Sequence, residues 1–301
     1  MADVTAVIVT YNSEDTIDTA LWSLLPSYRA GLSQCLVVDN ASTDGTVECV
    51  QQHPWVTLIR SERNVGFGRG CNLGLQHVSS RYVLFMNPDA VISQGNLKRL
   101  LDFMRSHPRA GLVGPAIVES DGQLQTAGGL PTPFGILGQA AGRPSHSSGR
   151  RPIRPGASSF QTDWLCGALL LAPTQLMQDL RGFDDRYFLY FEETDLCRRV
   201  QAAGYELWAV GEATAYHTAN HSALQTRQDL YAGCIAEHYF ASRFYYLAKH
   251  YGLAAATVTE AVELVLLTLR AAMTLVKGQT DHLVATRFRA PKFRFPRMMP
   301  L

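Results

Sequence analysis

Residues 81–89 read Arg-Tyr-Val-Leu-Phe-Met-Asn-Pro-Asp, a run of β-forming and apolar residues that stops on a carboxylate. Such a run predicts a buried strand, and Pro88 must end it because proline has no N–H to donate to a sheet. Asp89 is therefore expected at the carboxyl end of the strand, the edge where open α/β sheets bind ligands. With the Asn87 amide nearby, this carboxylate suits a divalent cation that also holds ligand phosphates, although Asn-Pro-Asp is equally good turn chemistry.

Strand-like and helix-like segments alternate around this run as far as about residue 120. The other predicted strands are 4–10, 35–38, 56–60 and about 111–118, and the predicted helices are about 13–25, 43–52, one after Gly70, and about 95–106. This alternation predicts a mostly parallel, Rossmann-like α/β sheet flanked by helices. Residues 131–160, rich in Pro, Gly, Ser and Arg, predict a long mobile loop, and a second ordered block runs from Asp163 to about Ser222.

The composition is that of a globular enzyme. The chain has 301 residues, 47% of them hydrophobic, and a formal net charge of +1. Residues 277–301 carry six Lys/Arg against Asp281, so this basic tail has a net charge of +5 and residues 1–276 have about −4, which argues against a domain that coats nucleic acid. Six scattered cysteines show no C-x-x-C pair, and the start shows no signal peptide, so we expect a reducing, cytoplasmic location.

Polar residues also follow the first three predicted strands. They are Thr10-Tyr11-Asn12 after the first, Asp39-Asn40-Ala41-Ser42-Thr43-Asp44-Gly45 after the second, and the stretch from Asn64 through Gly66 and Phe67 to Asn72 after the third. An aromatic ring can face a base, a carboxylate can accept from a ribose hydroxyl, and glycines allow close backbone approach. Each alone has an ordinary explanation as a cap or turn, but together they favour a nucleotide pocket. A dinucleotide fingerprint is disfavoured, because Cys71 stands where its third glycine should be.

Three carboxylates, Glu192, Glu193 and Asp195, lie within four positions beside the aromatic run 188–191. Apolar surroundings and neighbouring like charges both raise carboxylate pKa values, which prepares a general base. The alternative for one of the three is a charge that complements a helix N-terminus.

Six motifs in this order resemble those of the family 2 inverting glycosyltransferases, most of all the bacterial rhamnosyltransferase-like branch. They are Val-Thr-Tyr-Asn at 9–12, residues 38–45, Asn-Val-Gly-Phe at 64–67, Asn-Pro-Asp at 87–89, Gly-Phe-Asp-Asp at 182–185 and Glu-Glu-Thr-Asp-Leu at 192–196. The match spans about residues 4–222. The resemblance implies a GT-A fold, a nucleotide-diphosphate sugar donor and a Mg²⁺ or Mn²⁺ ion.

The resemblance also implies roles for individual residues. The nucleotide-sugar site would comprise Thr10, Tyr11, Asn12, Asp39, Asn40, Asn64, Gly66, Phe67, Asn72, Asn87 and Asp89. Asp89 would hold the metal and the diphosphate, and His217 matches a histidine that contacts either one in similar enzymes. Trp164 and Gly167 resemble the acceptor side, a core tryptophan being the alternative for Trp164. Glu193 stands where the family usually has an Asp base, so Glu193 is the first candidate for the base, with Glu192 and Asp195 as the others.

The C-terminal segment departs from this pattern. Residues 253–276 are apolar but interrupted by charges, which argues against a transmembrane span. Glu263, Arg270 and Lys277 lie seven apart and share one helical face, which predicts an amphipathic helix. Residues 287–297 interleave cations with phenylalanines, as membrane-surface segments do, with a dimer helix or core packing as the alternatives.

We therefore expect a GT-A domain at 1–250, with a nucleotide-binding half at about 1–120 and a catalytic half at about 161–250, followed by an amphipathic extension at 251–301. The predicted function is metal-assisted, inverting sugar transfer, with L-rhamnose from dTDP-rhamnose as the candidate donor and a glycan or lipid-linked molecule as acceptor. The predicted location is the cytoplasmic face of the membrane, with no nucleic-acid partner, and a homo-oligomer remains an alternative. A nucleotidyltransferase, or an inactive nucleotide-sugar-binding or scaffold protein, is the competing interpretation.

Overall fold

The computed structural model of this chain describes residues 3–28, 31–143, 149–217 and 233–276, together with 284, 287, 288 and 290–296. The chain divides into two compact units. The first comprises Met1–Gly128, Arg151–Asp185 and Glu192–Ala219, and the second comprises Gly129–Arg150, Arg186–Phe191 and Asn220–Leu301. This division differs from our boundary at residue 250, because 129–150 and 186–191 already belong to the second unit.

The elements of the described residues are as follows. The strands are β1 (Val4–Thr10), β2 (Leu32–Asp39), β3 (Val56–Arg60), β4 (Tyr82–Met86), β5 (Ala90–Ile92), β6 (Ala110–Glu119), β7 (Thr126–Ala127), β8 (Arg151–Pro152), β9 (Phe160–Thr162), β10 (Leu169–Pro173) and β11 (Glu206–His217). The helices are α1 (Ile17–Leu24), α2 (Thr46–Gln51), α3 (Phe67–Leu75), α4 (Gln94–Ser106), α5 (Pro133–Ala140), α6 (Thr174–Asp179), α7 (Glu192–Ala202), α8 (Gly233–Tyr251) and α9 (Leu253–Val276).

A mixed sheet forms the centre of the first unit. Its strand order is β3, β2, β1, β4, β10, β6, β11, β5, with β9 also on β11. Strands β3, β2, β1 and β4 pair in parallel, so their carboxyl ends meet at one edge. All of β1 and β4 is buried, as parallel strands covered on both faces should be. The predicted α/β sheet is confirmed, and it becomes mixed beyond β4, where β10 lies antiparallel to both β4 and β6.

Helix α3 begins at Phe67, earlier than the start after Gly70 that the sequence suggested. Gly66, with φ 90°, lies just before it. A Cβ atom on Gly70 would lie 2.6 Å from Cγ1 of Val9, and one on Gly74 would lie 2.4 Å from Cγ1 of Val7. These two glycines therefore let the helix pack directly on β1, because any side chain there would overlap the strand.

The second unit is helical. Tyr187, Phe191 and Tyr246 are buried in its apolar cluster with residues of α5, α8 and α9. Helix α5 lies within the segment 131–160 that we predicted to be loop. It forms because Thr132 accepts from the N–H of Gly135 at 3.0 Å and proline occupies the first turn. Among the described residues, no helix has both the length and the apolarity needed to cross a membrane.

Candidate active site

The ends of β1 and β2 are joined by buried side chains. The hydroxyl of Thr10 donates to Oδ1 of Asp39 at 3.4 Å, and both residues are fully buried. Both carboxylate oxygens of Asp39 accept from the N–H of Ser42 at 3.3 Å. Asn12, with a positive φ of 50°, accepts from the N–H of Thr43 at 2.8 Å. These bonds shape the two loops at the carboxyl edge of the sheet into one wall, and the ring of Tyr11 is half exposed on it.

A second group of amide side chains holds the loop before α3. The amide of Asn40 donates to Oδ1 of Asn64 at 3.0 Å and to the carbonyl of Gly66 at 3.1 Å, and it accepts from the N–H of Val65 at 2.9 Å. Oδ1 of Asn64 also accepts from the N–H of Gly66 at 3.0 Å. The structure thus brings the predicted residues that follow β2 and β3 into one hydrogen-bonded group.

Asn72 and Phe67 contact the Gly-Phe-Asp-Asp motif. The Asn72 amide donates to the carbonyl of Phe183 and to Oδ1 of Asp185, each at 2.8 Å, and accepts from the N–H of Phe183 at 2.8 Å. The ring centroids of Phe67 and Phe183 lie 6.0 Å apart, and the rings are arranged edge to face. Asn72 therefore ties the motif to α3, and its predicted contact with the nucleotide sugar stays a prediction.

Asp89 lies in a buried cluster with His217 and Glu119. Nε2 of His217 lies 2.9 Å from Oδ1 of Asp89, and Nδ1 lies 2.9 Å from Oε2 of Glu119. Gln125 donates to the other oxygen of Glu119 at 2.6 Å. The imidazole is thereby oriented from both sides, in the manner of histidines that ligate metals.

The loop that carries Asp89 adjoins the predicted acceptor segment. The N–H of Asn87 donates to the carbonyl of Ala168 at 2.9 Å. Immediately after that residue, β10 runs antiparallel to β4, with Leu169 opposite Met86. The predicted metal-binding and acceptor-binding segments are therefore neighbours at one end of the sheet.

Glu193, in the first turn of α7, contacts the predicted acceptor segment. The indole N–H of Trp164 donates to the hydroxyl of Thr194 at 2.9 Å, and this hydroxyl donates to Oε1 of Glu193 at 3.0 Å. A Cβ atom on Gly167 would lie 3.3 Å from Cβ of Glu193. Burial raises the pKa of Glu193, and the hydrogen bonds only partly oppose this. Trp164 and Gly167 thus lie beside the predicted base.

Glu192 is more deeply enclosed than its neighbour. Its Oε2 atom is buried and has no hydrogen-bond partner within the described part of the chain. Burial, with the charge of Glu193 as a second cause, holds the pKa of Glu192 well above its usual range. A Cβ atom on Gly68 would lie 3.5 Å from Cβ of Glu192, so the side chain of Glu192 packs at its base on the first turn of α3.

Asp195 has a different environment, since it forms an ion pair. Its Oδ2 lies 2.7 Å from Nε of Arg199, and the same guanidinium donates to the carbonyls of Leu180 and Gly182 at 3.0 and 2.8 Å. Asp195 is fully buried. Its carboxylate therefore anchors the chain that leads into the Gly-Phe-Asp-Asp motif.

The donor atoms near Asp89 fit a divalent cation that is shared with a ligand. Within the described residues, no group of three His, Cys, Asp or Glu side chains is arranged around a metal position. Asp89 and His217 nevertheless supply a carboxylate oxygen and an imidazole nitrogen side by side. Mg²⁺ and Mn²⁺ commonly bind through one or two protein groups and take their other ligands from phosphates and water. The pair suits such a site.

Glu119 and Arg199 are residues that the sequence analysis missed. Glu119 ends β6 and lies opposite His217 in the parallel pair formed with β11. Asp89 was identified because a carboxylate stood at the end of a predicted strand. The same criterion would have identified Glu119, but the predicted strand stopped at 118, one residue before it. Arg199 had no such signal, because an arginine four residues after an aspartate on a helix is ordinary surface chemistry.

Comparison with known proteins agrees with this geometry. A family model described as Glycosyl transferase family 2 matches residues 5–151. The chain is 31% identical over 271 residues to the N-acetylglucosaminyl-diphospho-decaprenol L-rhamnosyltransferase of Mycobacterium tuberculosis, covering 84% of this chain and 87% of the relative. It is 25% identical over 224 residues to rhamnosyltransferase WbbL of Escherichia coli, covering 71% and 83% of the two chains.

Solved structures share the fold at low identity. The mannosyltransferase PcManGT from Pyrobaculum calidifontis, in complex with GDP-Man and Mn²⁺, superposes with a TM-score of 0.56 at 18% identity, covering 95% of this chain and 86% of that one. GalNAc-T7 with UDP, GalNAc and Mn²⁺ superposes with a TM-score of 0.61 at 12% identity, covering 84% of this chain and 51% of that one. These similarities concern the fold, and they confirm the GT-A architecture that the motifs implied.

The ordered motifs, their convergence at one end of a GT-A sheet and the near full-length similarity to a rhamnosyltransferase lead to one conclusion: this chain is an enzyme of glycosyltransferase family 2.

Proposed function

We propose that this chain transfers L-rhamnose from dTDP-rhamnose, with inversion, to a lipid-linked glycan acceptor. The observation that carries this proposal is the 31% identity to a rhamnosyltransferase that acts on a decaprenol-linked sugar, over 87% of that protein. The E. coli relative that is also called a rhamnosyltransferase adds support for the donor sugar.

Glu193 is the general base of the proposed reaction. Its carboxylate takes the proton of the acceptor hydroxyl while that oxygen attacks the anomeric carbon and the bond from this carbon to the diphosphate breaks. Three contacts support the choice of Glu193 over its neighbours: the hydrogen bond from Thr194, the adjacent indole of Trp164 and the close packing of Gly167. Asp195 is instead bound to Arg199, and Glu192 packs on α3.

Asp89 and His217 are the residues that would hold the divalent cation, Mg²⁺ or Mn²⁺, together with the diphosphate. When bound, the cation supplies positive charge against the charge that develops on the departing diphosphate. The role of Asp89 and His217 is to fix its position, and Glu119 orients the imidazole through Nδ1.

The nucleotide would bind along the ends of β1, β2 and β3. Tyr11 offers a half-exposed ring for the base, and the loops held by Asp39 and Asn40 present backbone groups to the ribose. Trp164 would present its ring to the acceptor sugar beside Glu193. These assignments retain the predicted nucleotide-sugar and acceptor sites.

The proposed place of action is the cytoplasmic face of the membrane. A lipid-linked acceptor lies in that membrane, so the enzyme must meet it at the bilayer surface. We propose that the enzyme attaches peripherally to this face. A homo-oligomer is the alternative arrangement, and sedimentation equilibrium distinguishes it from a monomer.

Donor binding and transfer can be tested separately. Purified protein is screened for thermal stabilisation by dTDP-rhamnose, UDP-GlcNAc and GDP-mannose, each with Mn²⁺, and then assayed with a short-chain polyprenyl-diphosphate N-acetylglucosamine acceptor. We expect stabilisation by dTDP-rhamnose and a disaccharide product with inverted anomeric configuration. Stabilisation by a different nucleotide sugar would overturn the donor assignment, and donor binding without any product would favour the inactive binding protein.

A further inference from the structure

Helix α9 presents charge to the protein and apolar side chains to solvent, the reverse of an ordinary surface helix. Glu260 and Glu263 are 4% and 5% exposed. Val258, Val265, Leu269 and Met273 are 57–60% exposed, and Val262 is 39% exposed. The sequence analysis placed Glu263 on the charged face of an amphipathic helix, and the structure shows that this residue is turned toward the protein interior.

The buried side of α9 is fixed by ion pairs within the second unit. Arg243 of α8 binds both oxygens of Glu263, at 2.7 Å for Nη1 to Oε1 and with a second contact from Nη2 to Oε2. Arg287 is 1% exposed, bonds Glu263 from Nε at 3.1 Å and also contacts Glu260. Turning the helix would leave these buried charges without partners, which is strongly unfavourable. The apolar side of α9 is therefore held outward.

The outward side forms a continuous surface, which we call the α9 stripe. Its five larger residues recur every three or four positions, so they lie on one helical face over roughly 22 Å. Smaller uncharged residues complete the exposed side of this helix: Ala254, Thr257, Ala261, Thr268 and Ala272. Monomeric proteins rarely leave such a contiguous apolar surface in water, which indicates that something covers it.

We propose that the α9 stripe binds the surface of a bilayer that contains anionic lipids, an inference that rests on the proposed reaction at the membrane and identifies the contact surface. The charge pattern of the same unit supports lipid as the occupant. Lys292 and Arg294 are exposed, and Phe288, Phe293 and Phe295 are 40–47% exposed. The N–H of Phe293 donates to Glu260 at 3.0 Å, so this segment is attached to α9. Cations interleaved with exposed aromatic rings are suited to anionic headgroups.

The buried ion pairs also determine how α9 is oriented in the bilayer. Because the opposite side of α9 carries the buried ion pairs, only one side of the helix can enter lipid. The helix therefore lies along the headgroup region rather than across the bilayer.

The experiment uses the full chain and the double variant Val265→Glu with Leu269→Glu. The matched control is Gln52→Glu with Gln94→Glu, which adds the same charge at two exposed positions of the other unit. Sedimentation is measured with vesicles of phosphatidylcholine and phosphatidylglycerol at 3:2 and with phosphatidylcholine alone. We expect the unaltered chain and the control to bind the anionic vesicles, and the stripe variant to partition at least about tenfold more weakly. Lys292→Gln with Arg294→Gln should reduce the preference for anionic vesicles by about tenfold.

Two further measurements separate the outcomes. Hydrogen exchange of the unaltered chain should show vesicle-dependent protection in 253–276, which tests the surface even if a variant fails to fold. Sedimentation equilibrium without lipid should show a monomer. A dimer that the stripe variant dissociates, with no vesicle binding, would overturn the proposal in favour of a second copy of the chain. Transfer to a water-soluble acceptor should proceed at the same rate in the unaltered chain and in all these variants. If the unaltered chain shows no such transfer but binds anionic vesicles, the proposed function is disproved and the membrane-binding role of the α9 stripe is not.

Discussion

Glu119 accepts a hydrogen bond from Nδ1 of His217 at 2.9 Å, while the other nitrogen of this imidazole lies 2.9 Å from Asp89. Burial alone lowers the pKa of His217, but hydrogen bonds to Asp89 and Glu119 outweigh it and raise the pKa to about 10, so a cation that binds Nε2 must displace the proton of that nitrogen. The ring is therefore held in one orientation between two carboxylates. This arrangement makes Glu119 the residue on which the geometry of the Asp89 and His217 pair depends.

Replacing Glu119 by Gln should weaken the site without removing either proposed metal ligand. The glutamine keeps the size of the side chain but removes the negative charge that orients the imidazole. We expect Mn²⁺ affinity and transfer rate to fall by about 10- to 100-fold. Isothermal titration with Mn²⁺ and steady-state kinetics measure the two effects. Glu212→Gln, at an exposed position of the same strand β11, is the control, and equal behaviour of the two variants would disprove the role of Glu119.

Replacing Asp89 by Asn should abolish detectable transfer. The amide is the same size but is a much weaker ligand for Mg²⁺ or Mn²⁺ than a carboxylate. Because Asp89 is 2% exposed and paired with His217, we expect some loss of thermal stability as well. Transfer is measured at saturating donor, and circular dichroism checks the fold. Full activity in the folded variant, or in unaltered enzyme with excess chelator, would refute the metal assignment.

Replacing Glu193 by Gln should lower the turnover number by about 10²- to 10⁴-fold with little change in donor binding. The base must be ionised to act, and burial raises its pKa. The rate should therefore fall as the pH drops through this raised pKa, at a higher pH than for an exposed glutamate. The pH profile of the Glu193→Gln variant should not show this fall in rate at low pH.

Two related variants provide the comparison for Glu193. Glu192→Gln should keep most activity, and Asp195→Asn should act mainly on stability because it breaks the ion pair with Arg199. If either variant loses turnover and no longer shows the fall in rate at low pH, while Glu193→Gln stays active, the base has been assigned to the wrong carboxylate.

Replacing Gly167 by Ala tests how closely the base must be positioned. The added methyl group would lie 3.3 Å from Cβ of Glu193, so the side chain must shift by a few tenths of an ångström. We expect the turnover number to fall roughly tenfold, since small displacements of a catalytic group are costly. Gly95→Ala, where the added atom meets nothing within 4 Å, should keep full activity and gain up to about 1 kcal/mol of stability. Equal kinetics for the two variants would contradict the close packing.

Replacing Arg287 by Met should destabilise the protein by about 3–5 kcal/mol, because it leaves Glu260 and part of Glu263 as buried charges without this partner. Urea unfolding followed by circular dichroism measures the change, and Arg294→Met, at an exposed position, is the control. An unfolding free energy equal to that of the control would show that the ion pairs contribute nothing.

The same ion pairs predict how stability depends on pH. Burial alone raises the pKa of Glu263, but Arg243 and Arg287 lower it below its ordinary value of 4.5. A carboxylate with a lowered pKa in the folded state contributes stability above its unfolded pKa and loses it as the pH falls through the folded pKa. The unaltered protein should therefore lose more stability below pH 4.5 than Arg287→Met does, and unfolding curves between pH 6 and pH 3 provide the measurement.

The α/β class and the polar residues at the carboxyl edge of the sheet could be predicted from the amino-acid sequence alone. Buried parallel strands are continuous apolar runs, so β1 and β4 were recognisable from 4–10 and 81–89. Polar residues at the carboxyl ends of such strands must converge at one edge, which is why Thr10, Asp39 and Asp89 could be named without coordinates. The candidates for the general base at the start of α7 were recognisable because three carboxylates follow an aromatic run.

The contacts between groups that lie far apart in sequence could not be predicted and became visible only in the folded chain. The pairing of Glu119 with His217 depends on the register of β6 and β11, and no local pattern specifies a register between strands nearly 100 residues apart. The orientation of α9 likewise depends on Arg243 and Arg287, which lie on either side of it in sequence. A helical periodicity shows that two faces differ, but the partners of the charged face decide which one is buried, and here they turned the apolar face to solvent.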